Sequence, residues 1–308
     1  MARTIEVSYS ELDAYRQCPH KHALAYRFLW ASPSVGRALG IGLRWHKVME
    51  IHYGHVKDGS TEMARMQSVA EYLMESDTDE ETTQLLGWMY DGHVERWGND
   101  DQWEIMAIEE QGRQRLLTPR GFPSRFVLRR RIDLVVRDRS FIKPKIFVVD
   151  HKSGQNLPSD RELDLDDQMG LYNGGLKRQG VPVFGIIYSA ARTQRNKVVP
   201  QPLEERFSRT RLYRTDKELK TIAVEAYRTF KTAYSISADD APRAPDSERC
   251  RWRCPFTEPC LAGRKGVDEV TFLRAKGFAQ LSEAEHWRTR GYLTEPGREE
   301  VASGSEVS

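Results

Sequence analysis

Apolar and polar positions follow two rhythms along this chain. Residues 8–98 carry mainly helical spacing with few β-branched runs. Ser8 and Glu11 fit a capping box that opens a helix running to about Phe28, with Cys18 near its end. Pro33, Gly36 and Gly40 mark a loop, and a second helix is expected over 42–56. Residues 61–98 read as one or two more helices broken around 77–81, an inserted helical cap at about 58–100. The rhythm then changes. Strands are expected at 103–117, 126–137 and 145–152, separated by the turn Thr118-Pro119-Arg120-Gly121 and followed by a linker at 153–158. A helix over 164–179 ends at Gly180, a buried strand follows at 183–190, and 204–214 reads as an edge strand. Apolar residues at Leu219, Ile222, Ala223, Ala226, Tyr227 and Phe230 predict a long helix over 216–235. This order predicts an α/β fold with a mixed sheet flanked by helices.

Composition narrows the class. The 308 residues carry 47 basic and 45 acidic side chains, so a net charge of +2 neither requires nor excludes nucleic acid. No apolar run approaches a membrane span, and the N-terminal residues lack a signal-peptide core. A cytoplasmic protein without a membrane partner is expected. Residues 1–240 read as the main domain, 241–278 as a C-terminal cysteine segment, and 279–308 as a polar, disordered tail. Only four cysteines occur, and Cys250, Cys254 and Cys260 fall within eleven residues. That clustering suits a metal or cluster site better than scattered core thiols. With Cys18 lying 232 positions ahead of Cys250, the one-plus-three layout differs from the local knuckles of most zinc modules.

The strongest chemical feature is Asp133 on one strand and Asp150-His151-Lys152 on the next. Strand side chains alternate faces, so Asp150 and Lys152 share a face and His151 points away. Asp133 lies with Arg129 and Arg131, opposite Ile132 and Leu134. Two neighbouring strands can thus offer two carboxylates and a lysine to one point. Such carboxylates suit Mg²⁺ or Mn²⁺, which activates water and stabilises phosphoryl charge, while the lysine orients the water or neutralises developing charge. An isolated D-x-K pair is common on exposed strands, so the neighbours decide. His46 and Glu50, four apart on a helix, can face the sheet together, His46 supplying an imidazole ligand. Gln168 and Tyr172 present an amide and a phenol on one helix face. Glu109 can add a carboxylate, although spacing does not decide whether it or Glu110 points inward. Arginines cluster before Asp133 (Arg113, Arg115, Arg120, Arg125, Arg129–Arg131), after the last core strand and around the cysteines, a pattern suited to a phosphate backbone. Trp252 and Phe256 are expected to pack locally rather than to stack on bases.

Taken together, Gly42-x-x-x-His46, Asp133, Asp150-x-Lys152 and Gln168-x-x-x-Tyr172 resemble the RecB-type branch of the PD-(D/E)xK nuclease superfamily. The cysteine layout and the opening Ser8-Tyr-Ser-Glu-Leu-Asp13 with Cys18-Pro19 resemble its iron–sulfur exonucleases: CRISPR-associated adaptation exonucleases, AddB-type subunits and related phage exonucleases. The resemblance spans about residues 8–262. It implies a restriction-endonuclease-like core and metal ligands at His46, Asp133, Asp150 and the main chain of His151. It further implies a catalytic Lys152, DNA-contacting or buttressing roles for Gln168 and Tyr172, and a 4Fe–4S cluster on Cys18, Cys250, Cys254 and Cys260, with zinc as the alternative. Glu50 and Glu109 are additional candidates. The chain departs from the branch in its C-x3-C-x5-C spacing, where C-x2-C-x5-C is usual, in Arg129–Arg131 where glycine is frequent, and in His151 where an aromatic is usual.

The expected function is a Mg²⁺- or Mn²⁺-dependent deoxyribonuclease, an exonuclease on single-stranded DNA or DNA ends. Recombination, end processing or CRISPR spacer acquisition would supply its setting and partner proteins, and a homo-oligomer is compatible with it. The alternatives are a catalytically silent, nuclease-like DNA-binding or adaptor protein and a zinc-stabilised endonuclease.

Overall fold

The computed structural model describes residues 3–292 apart from Val35, Asp77 and Lys197. Along the chain, β1 (Ile5–Ser8) leads into α1 (Tyr9–Gln17), α2 (Pro19–His22), a π-helical turn (Ala23–Arg27) and β2 (Trp30–Ala31). Three helices follow: α3 (Arg37–Lys57), α4 (Glu62–Glu75) and α5 (Glu80–Trp97). The strands β3 (Trp103–Leu117), β4 (Pro123–Asp138) and β5 (Lys145–Gly154) come next, then α6 (Asp160–Asp164), α7 (Asp167–Arg178) and β6 (Val183–Arg192). The chain closes with α8 (Leu203–Arg206), β7 (Phe207–Leu212), α9 (Asp216–Ala233), α10 (Ser247–Arg253), α11 (Thr257–Arg264), α12 (Glu269–Ala275), β8 (Ala279–Gln280) and α13 (Glu283–Thr289).

Two compact units form. One comprises Met1–Tyr9 and Ser34–Phe230, the other Ser10–Pro33 and Lys231–Ser308. The expected boundary at 240 thus moves to 230, and residues 10–33 join the C-terminal unit rather than the sheet. The strand β8 and helix α13 occupy 279–289, where a disordered tail was expected; the rest of that tail, 293–308, lies outside the described residues.

The first unit is built on a six-stranded mixed sheet. Antiparallel β3 covers one edge of β4; on the other edge β1 pairs in parallel with Phe126–Arg129 and β5 runs antiparallel from Leu134 to Asp138. Parallel β6 and antiparallel β7 complete the order. Long β-branched runs make the central strands, and Val136, Phe147, Val149 and Ile187 form a core with Trp45, Met49 and Tyr53 of α3. The cap α4–α5 adds Val69, Leu73, Leu86 and Met89 to that core. Thr61 and Asp79 cap these two helices, accepting from the N–H groups of Ala64 and Thr82.

Three expectations change in detail. Pro19 lacks an N–H and drives the preceding residue into extended backbone, so the helix expected to reach Phe28 breaks at Cys18 (φ −163°, ψ 117°). The helix expected from 164 splits, because Ser159 and Glu162 close a capping box for α6 and Asp166 caps α7 anew. The expected edge strand 204–214 is α8 followed by β7, which is indeed an edge.

Candidate active site

The β4–β5 ladder runs to Leu134–Val149 and stops there. The next facing pair is Asp133 and Asp150, so the two carboxylates stand where the strands fork. Backbone pairing is replaced by a side chain, because the N–H of His151 donates to Asp133 Oδ2 at 2.7 Å. His46, two turns into α3, sets Nδ1 3.1 Å from the same oxygen. Glu109 lies opposite Asp133 on β3 with φ +50°, a left-handed conformation costly for a residue with a side chain. It sits between the pairs Ile108–Leu134 and Glu110–Ile132, and the register runs on unchanged across it. Ligand atoms of His46, Glu109 and Asp133 all fall within 4.8 Å of one another. Spacing alone left Glu109 and Glu110 undecided; the structure turns Glu109 to the site and Glu110 to Arg130 at 2.9 Å.

Lys152 stands between two carboxylates, 2.8 Å from Asp150 Oδ2 and 2.8 Å from Asp166 Oδ2. Its ammonium also lies 5.2 Å from the ring centroid of Tyr188, which faces Asp150 across β6. Asp166 escaped sequence reasoning because it reads as an ordinary helix cap. It does cap α7 through the N–H of Gln168, at 2.8 Å, and so ties the Gln168–Tyr172 helix to the lysine. Tyr172 is fully buried and Gln168 half-buried. Glu50 stays half-exposed and pairs with Lys47 at 2.7 Å, outside the compact ligand group. The His151 imidazole turns into the core as expected, stacking on Tyr53 with centroids 5.5 Å apart. Behind it the Tyr53 hydroxyl donates to Asp100 at 2.8 Å, and Asp100 also receives Arg209.

Charges in the fork are strongly coupled. Burial opposes the charged form of His46, but the carboxylates of Asp133, Asp150 and Glu109 overcome it and push the imidazole up to about 9. Burial likewise opposes ionisation of Asp133, yet the His46 charge and the His151 N–H hold its carboxyl below the usual range. Burial raises Asp150 despite Lys152, with Asp133 and Asp166 adding to it. Glu109 is pushed up to about 7, chiefly by burial against the relief from Arg131. Lys152 is raised despite burial because Asp150 and Asp166 both face it, so it stays an ammonium. In sum, the fork is a buried anionic cluster held by one imidazolium and one ammonium.

The arginine clusters are less free than their density suggests. Arg113 and Arg129 pair with Glu6, Arg130 with Glu110, Arg131 with Glu109, Arg209 with Asp100 and Arg211 with Asp138. Much of the positive charge is therefore spent inside the first unit.

In the second unit Cys18, Cys250, Cys254 and Cys260 line one cavity of about 340 Å³. The break at Pro19 leaves Cys18 as the N-cap of α2, and its sulfur accepts from the Ala244 N–H at 3.4 Å. The Asp246 N–H donates to the Cys250 sulfur at 3.5 Å. Ligands of a single tetrahedral zinc with four thiolates sit about 3.8 Å apart. Among the described residues no three of these sulfurs lie within 4.8 Å of one another. Backbone N–H groups thus point at two of the four sulfurs that line the cavity. Phe256 packs with Leu24, Trp30 and Leu273 as expected; Trp252 is exposed instead, 71% accessible.

A forked mixed sheet thus bears two aspartates and a lysine at its open end. The family model of the PD-(D/E)XK nuclease superfamily matches residues 6–261, and the chain belongs to that superfamily. No curated protein matches the chain. Among solved structures it is similar to the crystal structure of SSO0001, at 13% identity and a TM-score of 0.39 over 83% of this chain and 86% of that one. Among the described residues, no helix is long and apolar enough to cross a membrane.

Proposed function

We propose that this chain is a divalent-metal-dependent DNA exonuclease that hydrolyses phosphodiester bonds on single strands or at DNA ends. The observation that supports this most is the convergence of Asp133, Asp150 and Lys152 with His46 and Glu109 at the β4–β5 fork. His46, Glu109, Asp133, Asp150 and a main-chain atom of His151 would hold Mg²⁺ or Mn²⁺, which when bound supplies Lewis-acid stabilisation of phosphoryl charge and acidifies water. The oxygen-rich donor set of three carboxylates and one imidazole fits such an ion. Lys152 remains protonated and donates to a phosphate oxygen, or to the attacking water, as charge builds. Asp166 keeps that ammonium in position. Buried Tyr172 buttresses the helix, and half-buried Gln168 is the member of the pair able to reach a nucleotide.

The cysteine quartet is proposed to hold a 4Fe–4S cluster, a reading supported by the four cysteines lining one cavity. Recombination, end processing or CRISPR spacer acquisition is the proposed setting.

The test is cleavage of end-labelled linear single-stranded DNA with Mg²⁺ or Mn²⁺, using anaerobically purified full chain. Metal-dependent digestion lost in Asp150→Ala and Lys152→Ala supports the assignment, and intact circular single strands separate exonuclease from endonuclease action. Identical inactivity of wild type and variants would move a silent DNA-binding role to first place. Iron and sulfide content of the same preparation tests the cluster independently.

A further inference from the structure

We propose that the second unit contains a mononuclear site for a zinc-class ion, formed by His20, Cys260 and Glu269 and separate from the cysteine quartet as a whole. A ring nitrogen of His20, the Cys260 sulfur and a Glu269 carboxylate oxygen all lie within 4.8 Å of one another. No three of the four cysteine sulfurs meet that condition among the described residues. The mixed triad, unlike any three of the cysteines, is compact enough for one ion. Nitrogen, thiolate and carboxylate together are a zinc-type donor set, with the fourth position left to water.

Two further observations point to a cation there. His20 is 92% buried, and its Nδ1 has no hydrogen-bond partner, while Nε2 sits 2.9 Å from Glu269 Oε1. The Arg243 guanidinium bridges the two acidic donors, 3.1 Å from Glu269 Oε2 and hydrogen-bonded to the Cys260 sulfur. A positive charge thus already occupies the mouth of the triad. Arg243 is 35% accessible on the chain between α9 and α10, and its long side chain can withdraw to water. Donors around a tetrahedral zinc sit about 3.4–3.7 Å apart, so the His20–Glu269 pair need open by only about half an ångström.

The ion joins α2 to α11 and α12, whereas the quartet joins α2 to α10 and α11 through Cys18, Cys250 and Cys260. Because Cys260 belongs to both sets, the two loadings exclude one another; this exclusion, though not the site itself, rests on the cluster reading. The second unit can thus be held together in the absence of iron.

The experiment is Co²⁺ titration of the metal-free, reduced full chain, followed by thiolate-to-cobalt charge transfer. That band ignores any Co²⁺ bound at the β4–β5 fork, which has no sulfur ligand. One equivalent is expected to bind. His20→Ala, Glu269→Gln and Cys260→Ser should weaken binding at least tenfold, Cys250→Ser and Cys254→Ser should leave it in place, and Arg243→Met should tighten it. Binding that needs Cys250 and Cys254 but survives His20→Ala would overturn the site, as would absence of the band in wild type. Circular dichroism of each variant separates ligand loss from unfolding, and Glu269→Gln conserves size. Prior loading with one equivalent of Zn²⁺ should block reconstitution with iron and sulfide. If no cluster forms even without zinc, the quartet reading fails while the cobalt result stands.

Discussion

The fork at β4–β5 and the cysteine cavity are both sites of converging ligands, but they rest on different physics. The fork sits on strands of 16 and 10 residues whose apolar faces share a continuous core with α3, α4 and α5. Its carboxylates are carried by a sheet whose apolar core does not include them. Cys250 and Cys260 sit on α10 and α11, helices of seven and eight residues, with Cys254 at the end of α10 and Cys18 at the start of α2, beside a small core of Leu24, Trp30, Phe256 and Leu273. Helices that short do not hold themselves together in water. On the proposed reading the site of the first unit is a passenger of the fold, whereas in the second the ligands would be part of what makes the fold.

The largest effect expected from this contrast is catalytic. Asp150→Ala should lower cleavage by roughly 10²–10³-fold or more, yet leave the melting of the first unit nearly unchanged. A collapse of that unit on mutation would break the comparison. Next, Cys254→Ser should release the amides of α10–α12 to rapid hydrogen exchange, while the sheet stays protected. Equal protection in both units of this variant would show that the cysteine unit is self-sufficient. A smaller effect is expected at Asp166. Asn keeps the cap on α7 but removes the charge facing Lys152, so Asp166→Asn should cut kcat about tenfold at constant stability. Asp166→Ala should add a loss of about 1 kcal/mol in stability from the missing cap. A variant that changed stability without kcat would reduce Asp166 to a structural cap.

How far the sequence reveals these sites follows the same division. Strand alternation put Asp133, Asp150 and Lys152 on one side with His151 turned away, because long strands bury a face and cannot slip register cheaply. Helical spacing similarly brought His46 to the sheet. Glu109 was ambiguous because its inward turn depends on a positive φ inside a strand, which no periodicity encodes. Asp166 was missed because one side chain serves as cap and as lysine partner, and only the first role leaves a local signature. The arginine clusters misled for a related reason: their partners Glu6, Glu110 and Asp100 are distant in sequence and meet them only through sheet register. In the second unit, the helical pattern carried the expected helix through Pro19 to Phe28, although a proline bars helical backbone in the residue before it and so breaks the helix at Cys18. His20 and Glu269 gave no signal at all, being 249 positions apart and joined only in three dimensions.

The smallest effect bears on the buried histidine layer beneath the fork. His52 is fully buried on α3, with Nδ1 3.3 Å from the Tyr90 hydroxyl and Nε2 without a partner. Burial, aided by the Arg65 charge, holds it down to about 3. The native state therefore keeps it neutral, while the unfolded chain takes up a proton near pH 6.5. Its contribution is fully present above pH 6.5 and is lost as pH falls from there toward 3, because only the unfolded state binds the proton in that window. Between pH 7 and 5.5 this one group should cost about 1 kcal/mol. The urea midpoint of the first unit should fall over that interval in wild type, and His52→Phe should remove about that much of the fall while leaving the share of His93, which burial also keeps neutral. An unchanged pH slope in His52→Phe would mean that the imidazole reaches water before the unit opens. The helix–sheet core under the fork would then be looser than its packing implies, and the contrast between the two units correspondingly weaker.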